Sequence, residues 1–109
     1  MTDFQNNIQA HTTLNNAAQL AKALGDANRL RILRCLGQER KSVSALVEQL
    51  GLSQPLVSHH LRELRRVLLV RVERQGPFVY YSLSDAQVLN LLQELEQLAQ
   101  AVLQKRINL

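Results

Sequence analysis

The sequence predicts an α+β fold, mostly helical, with five helices and one two-stranded β-hairpin. Three observations carry this. Two short amphipathic stretches around a Gly-containing break have helical period. After residue 69 the apolar pattern changes from helical spacing to alternation, and near the C-terminus a long apolar stripe returns at helical spacing. The chain has 109 residues, enough for one domain, with 46% hydrophobic and 4% aromatic residues, so its core is built from Leu, Val and Ala.

Taken in order, residues 1–13 read as a polar leader, expected to be partly disordered, with His11 inside it. Leu14, Ala17, Ala18, Ala21 and Leu24 then form a stripe that Gly25 closes, a helix over 14–24. Asp26 is placed to cap a second helix carrying Leu30, Ile32, Leu33 and Leu36, with Gly37 as its stop. Ser42 caps a third, whose apolar side is Val43, Leu46, Val47 and Leu50. Gly51-Leu52 breaks it, and Ser53 caps a fourth helix with Pro55 tolerated in its first turn. Helix, short Gly turn and second helix, over about 42–66, is the helix-turn-helix unit.

The fourth helix, SQPLVSHHLRELRR, separates into two faces. At helical spacing Gln54, Pro55, Ser58, His59, Arg62, Arg65 and Arg66 share an arc of about 140°. Leu56, Val57, His60, Leu61 and Leu64 occupy the opposite side, a core face in which His60 is a hydrogen-bonded core residue. Short polar groups leading into arginines are what a helix in a DNA major groove needs, to read base edges and to hold phosphates. A solvated basic face on an ordinary helical hairpin fits this helix equally well when it is taken alone.

Beyond it, Val70 and Val72 alternate with Arg71 and Glu73, and past Gln75-Gly76-Pro77, Val79, Tyr81 and Leu83 alternate with Phe78, Tyr80 and Ser82. This is a hairpin over about 69–83, a wing, with Arg74 and Gly76 at its tip. Ser84, with Gln87 three residues on, reads as a capping box opening a last helix over 84–105. Val88, Leu91, Leu92, Leu95, Leu98, Ala99, Val102 and Leu103 share one arc of it, more apolar surface than so small a domain needs. The stripe either packs within its own subunit or, as the excess favours, covers a second copy. Leu14, Ala18, Ala21, Leu91, Leu95, Leu98 and Val102 are the candidate dimer residues.

The formal net charge is +4 and is unevenly placed. Residues 29–41 carry Arg29, Arg31, Arg34, Arg40 and Lys41 against Glu39, and residues 62–74 carry five arginines against two glutamates, whereas 75–104 contain no Lys or Arg. A basic patch around the helix-turn-helix attracts a polyanion, with duplex DNA ahead of anionic lipid. A winged-helix module serving a protein or RNA partner is the competing class. The candidate DNA contacts are Ser53, Gln54, Ser58, His59, Arg62, Arg74 and Gly76. No apolar run reaches the length of a membrane span, and the N-terminus lacks the order of a signal peptide. With a single cysteine, a cytoplasmic location is expected. No catalytic constellation is present, so neither an enzyme nor a cofactor is expected.

Ala23-Leu24-Gly25-Asp26-Ala27-Asn28-Arg29-Leu30-Arg31-Ile32-Leu33, then Ser53 to Leu61, then Gly76 with Val79-Tyr80-Tyr81-Ser82-Leu83, resemble the bacterial ArsR/SmtB family over about residues 14–105. The resemblance implies a dimeric winged-helix repressor, joined through its first and last helices and released from an operator by an inducer. It also implies sensing residues that this chain does not match. Lys41-Ser42-Val43-Ser44-Ala45 stands where metal-sensing members carry Cys-x-Cys. On the last helix Asp85 remains, but Gln87, Leu98 and Ala101 replace the ligands of the second kind of metal site. No metal site is therefore expected. Cys35, the only thiol, lies one position later than the first cysteine of sulfur- and redox-sensing members, where Arg34 stands, and the second has no counterpart. Its neighbours Leu33 and Leu36 favour a small buried residue over a sensor. The inducer is left open: a signal at Cys35, a small molecule in a dimer cleft, or none.

Overall fold

The computed structural model describes residues 2–107, with side chains described from 8 to 105. Its elements are α1 (Thr2–Ala23), α2 (Ala27–Leu36), α3 (Val43–Leu50), α4 (Gln54–Arg66), β1 (Val70–Gln75), β2 (Phe78–Leu83) and α5 (Gln87–Ile107). Five helices and an antiparallel hairpin make a winged helix-turn-helix.

Each central helix starts where its cap is. Asp26 Oδ1 accepts from the Asn28 and Arg29 amides at 2.9 and 3.1 Å, Ser42 Oγ from Ala45 at 3.1 Å, and Ser53 Oγ from Leu56 at 3.3 Å. Gly51 closes α3 with φ +69°, a left-handed position that glycine takes without strain. The core lies where α2, α3, α4 and the base of the wing meet: Ile32, Leu33, Leu46, Val57, Leu61 and Leu64 have no measurable exposure, and Leu36 and Val70 are buried with them. Each such side chain contributes about 1.5–3 kcal/mol by leaving water.

The hairpin pairs Val70 with Leu83, Val72 with Tyr81 and Arg74 with Val79, so the apolar alternation forms one face. Gly76, at φ +60°, opens its two-residue turn. Lys41 exchanges two 2.8 Å backbone hydrogen bonds with Tyr81, which adds the α2–α3 loop to the wing's base.

Three expectations change. The stretch 1–13, read as a leader, carries helix from Thr2 onward, because nothing between Thr2 and Ala23 breaks a helix. The helix expected over 14–24 is thus a long arm; Met1 lies outside the described residues. The Ser84–Gln87 capping box does not form. Ser84 donates from both its amide and its hydroxyl to the Leu69 carbonyl, at 3.0 and 3.1 Å, which prolongs the hairpin pairing. Asp85 Oδ1 instead accepts from the Gln87 amide at 2.8 Å, and α5 begins three residues later than read and runs to Ile107. Cys35 is half-buried at the edge of the core rather than inside it, because its thiol faces polar partners.

One turn is unusual. Leu69 N–H bonds to the Leu64 carbonyl and Leu68 N–H to Arg65, both at 3.0 Å, the paired bonds of a Schellman helix end. The residue that must be left-handed there is Leu68, at φ +64°, where glycine is usual. Its side chain is 76% exposed.

Candidate nucleic-acid interface

The buried side of α4 fixes the direction of the other side. Val57, Leu61 and Leu64 anchor the helix, with His60 at 4% exposure among them. Gln54, Pro55, His59, Arg62, Arg65 and Arg66 are exposed, and Ser58 is half-buried among them. The structure brings Ser53, Gln54, Ser58, His59 and Arg62 onto one outward strip of the helix and its cap. Arg74 and Gly76 stand apart at the exposed tip of the wing. Among the described residues Arg62, Arg65 and Arg74 make no ion pair, while Arg66 meets Glu63 at 3.5 Å. The strip therefore offers small hydrogen-bonding groups followed by unpaired guanidinium groups.

Other cations of the basic patch have structural partners. Arg29 donates to the Ala23 carbonyl and, at 3.4 Å, to that of Lys22, holding the end of α1. Arg31 donates to the Leu50 carbonyl at 2.9 Å and to Asn28 Oδ1 at 3.2 Å, which ties α2 to the end of α3. Arg34 pairs with Glu96 of α5. Arg40 meets Glu73 at 3.3 Å and lies 4.4 Å above the Tyr80 ring, so it belongs to the outer face of the wing. The sequence assigns none of these four arginines a structural partner. Arg40 is the one it missed as part of the wing surface; the outward position of Tyr80 in the alternation was the available signal.

Behind the strip, His60 joins α4 to α2. Arg29 Nη1 lies 3.5 Å from His60 Nδ1, and His60 Nε2 lies 3.8 Å from Asp26 Oδ1. A guanidinium only donates, so Nδ1 is the acceptor and the ring proton sits on Nε2, facing the carboxylate. Burial holds His60 below the ordinary histidine range by disfavouring the imidazolium; the Asp26 carboxylate opposes this and Arg29 adds to it. The hydrogen bond from the Arg29 amide, with His60 and further bonds adding to it, keeps Asp26 below the usual aspartate value.

Cys35 donates its thiol proton to Gln49 Oε1 at 3.0 Å, and Lys41 Nζ reaches that same oxygen at 2.8 Å and the sulfur at 3.7 Å. Among the described residues no group of three or more His, Cys, Asp or Glu side chains converges as a metal site would require, and no helix is long and apolar enough to cross a membrane. Of the candidate dimer residues Leu14, Ala18, Ala21, Leu91, Leu98 and Val102 are exposed and Leu95 is half-buried.

Comparison with known proteins bears on this geometry. A helix-turn-helix domain family matches residues 24–73. The HTH-type transcriptional regulator NmtR of Mycobacterium tuberculosis is 43% identical over 81 residues, 72% of this chain and 68% of that protein. The transcriptional repressor SmtB homolog of Synechocystis is 41% identical over 85 residues, 75% of this chain. The homodimeric winged helix-turn-helix DNA-binding domain Mb0332 of Mycobacterium bovis, described as a possible ArsR-family transcriptional regulator, superimposes with TM-score 0.74 at 29% identity over 83% of each chain. The chain belongs to the ArsR/SmtB family. It spans 64% of the length of the Synechocystis relative. The ArsR/SmtB fold accounts for the order of α3, α4 and the hairpin, and puts the α4 strip on the second helix of the helix-turn-helix.

Proposed function

We propose that this chain is a homodimeric transcriptional repressor that binds duplex DNA at an inverted-repeat operator. The outer strip of α4 carries the reading: short polar side chains and unpaired arginines on a helix whose other face is locked into the core. In this reading Ser53, Gln54, Ser58 and His59 meet base edges or adjacent phosphates, and Arg62 holds a phosphate. Arg74 and the Gly76 backbone make a second phosphate contact from the wing. The names of the ArsR/SmtB relatives, which are transcriptional regulators and repressors, support it. The dimer is formed by α1 and α5, whose side chains Leu14, Ala18, Ala21, Leu91, Leu98 and Val102 are exposed in the single chain, and its release signal is not assigned.

The test is fluorescence polarisation with the DNA upstream of the chain's own gene, challenged with excess random duplex. The expected result is binding that random DNA does not displace, with a preference of about a thousandfold or more. Equal affinity for every duplex would sink the repressor reading and leave a winged-helix module with another acidic partner.

A further inference from the structure

Among the described residues His60 is the only buried polar side chain. It lies on α4 directly behind the outward strip, next to His59, so a movement of its ring is passed to the groups that face outward. The two groups it meets across the helix boundary are both pinned. Arg29 donates from Nε to the Ala23 carbonyl and from Nη2 to the Lys22 carbonyl, which holds Nη1 toward His60 Nδ1 at 3.5 Å. Asp26 Oδ1 is committed to the Asn28 and Arg29 amides and stands 3.8 Å from Nε2, too far for a hydrogen bond.

A neutral ring suits this seat, because Nδ1 accepts from the guanidinium and no charge is buried. A protonated ring does not. Its Nδ1–H then opposes the Arg29 N–H, donor against donor, and the end of α1 and the α2 cap keep Arg29 and Asp26 where they are. The part left to move is the ring, and α4 with it. There is room on that side: a cleft of about 330 Å³ separates the end of α1 from the second half of α4, lined by Lys22, Ala23, Arg29, Glu63 and Val67. Asp26 and Glu63 attract a positive ring, whereas Arg29 and His59 repel one.

We propose that His60 is a positioning residue for operator binding: its neutral ring seats α4 against α2 with the reading strip aligned, and the imidazolium unseats the helix, so that acidification releases DNA. This rests on the repressor reading above and adds a proton to what controls it. The seated and unseated helix are two populated arrangements, of which DNA selects the first and a proton the second.

Fluorescence polarisation with the upstream duplex at pH 7.5 and 5.5, at constant ionic strength, tests it on wild type and His60→Gln. The Gln amide keeps an acceptor for Arg29 and a donor toward Asp26, and it does not titrate. Wild type is expected to lose affinity on the order of fivefold, within the limit of about tenfold per pH unit that one proton sets. His60→Gln shows only the change that His59, present in both proteins, contributes. In Asp26→Asn, which keeps a capping side chain, the loss moves to lower pH because the attracting carboxylate is gone. Helix content by circular dichroism is expected to stay constant across the range. An affinity that falls equally in wild type and His60→Gln, or only in step with helix content, overturns the proposal and leaves the repressor reading standing. A wild type with no preferred duplex at pH 7.5 overturns the repressor reading, and this inference with it.

Discussion

Arg29 and Arg31 hold the carbonyl ends of α1 and α3, so their charge contributes to the general field around the helix-turn-helix and not to outward contacts. Arg62 and Arg74 have no such duty. Replacing either with Ala is expected to weaken binding to every duplex alike and to lower the salt slope by about one, measured as log K against log salt. Ser58→Ala or Gln54→Ala should instead cost about 1–3 kcal/mol at particular base pairs. An Arg74→Ala variant with unchanged affinity and salt slope would remove the wing from the interface. His60 gives a different expectation. Its folded pKa lies below the unfolded value, so the neutral ring's stability is fully present above about pH 6.5 and falls as pH drops below that. The loss cannot exceed about 1.4 kcal/mol per pH unit for one proton. Urea unfolding at pH 7.5 and 5.5 should show it in wild type and not in His60→Gln; equal pH dependence in both would exclude the ring. That His60 is a core residue was legible from its place on the apolar arc. Its partners were not, because Arg29 is 31 positions away and only the fold brings α2 against α4.

At the scale of elements, α2, α3 and α4 could be read from the chain because their signals are local: an Asp or Ser cap, then a periodic stripe, then a glycine or a change of period. The start of α1 carries no such signal. The run before Leu14 is mostly polar and the apolar stripe becomes regular only from there, so no apolar period marks where the helix begins. The start of α5 was misplaced for a different reason. Ser84 is a good cap, but a strand neighbour, the Leu69 carbonyl, claims it first. The anchoring of α4 is testable. Leu61 has no measurable exposure, and Leu61→Ala should lower stability by about 2–5 kcal/mol and reduce DNA binding only as far as the fold is lost. A variant with wild-type stability would mean that α4 is held by something other than its apolar face.

For the whole molecule the surface is the telling quantity. A single chain of 12.4 kDa exposes 8203 Å², against roughly 6100 Å² for a compact monomer of that mass. Exposed apolar side chains on α1 and α5, among them Leu14, Leu91, Leu98 and Val102, are part of that surface, as the proposed dimer requires. Leu98→Glu, at an exposed seam position, should yield folded monomers by light scattering, and the wild-type operator should contain inverted half-sites about 10 base pairs apart centre to centre. A dimeric Leu98→Glu protein would place the interface elsewhere. Among the described residues, the 22-residue α1 packs on its own subunit chiefly at its C-terminal end, where Ala23 is buried and Leu20 and, just past the helix, Leu24 are half-buried. A helix without tertiary cover is marginal in water. Ordering of the arm is then coupled to association, and the helical content of each molecule becomes a function of concentration. Mean residue ellipticity at 222 nm should fall on dilution through the dimer's dissociation range, losing the arm's share of the signal while the core stays folded. An ellipticity constant across that range would mean that α1 holds its helix without a neighbour.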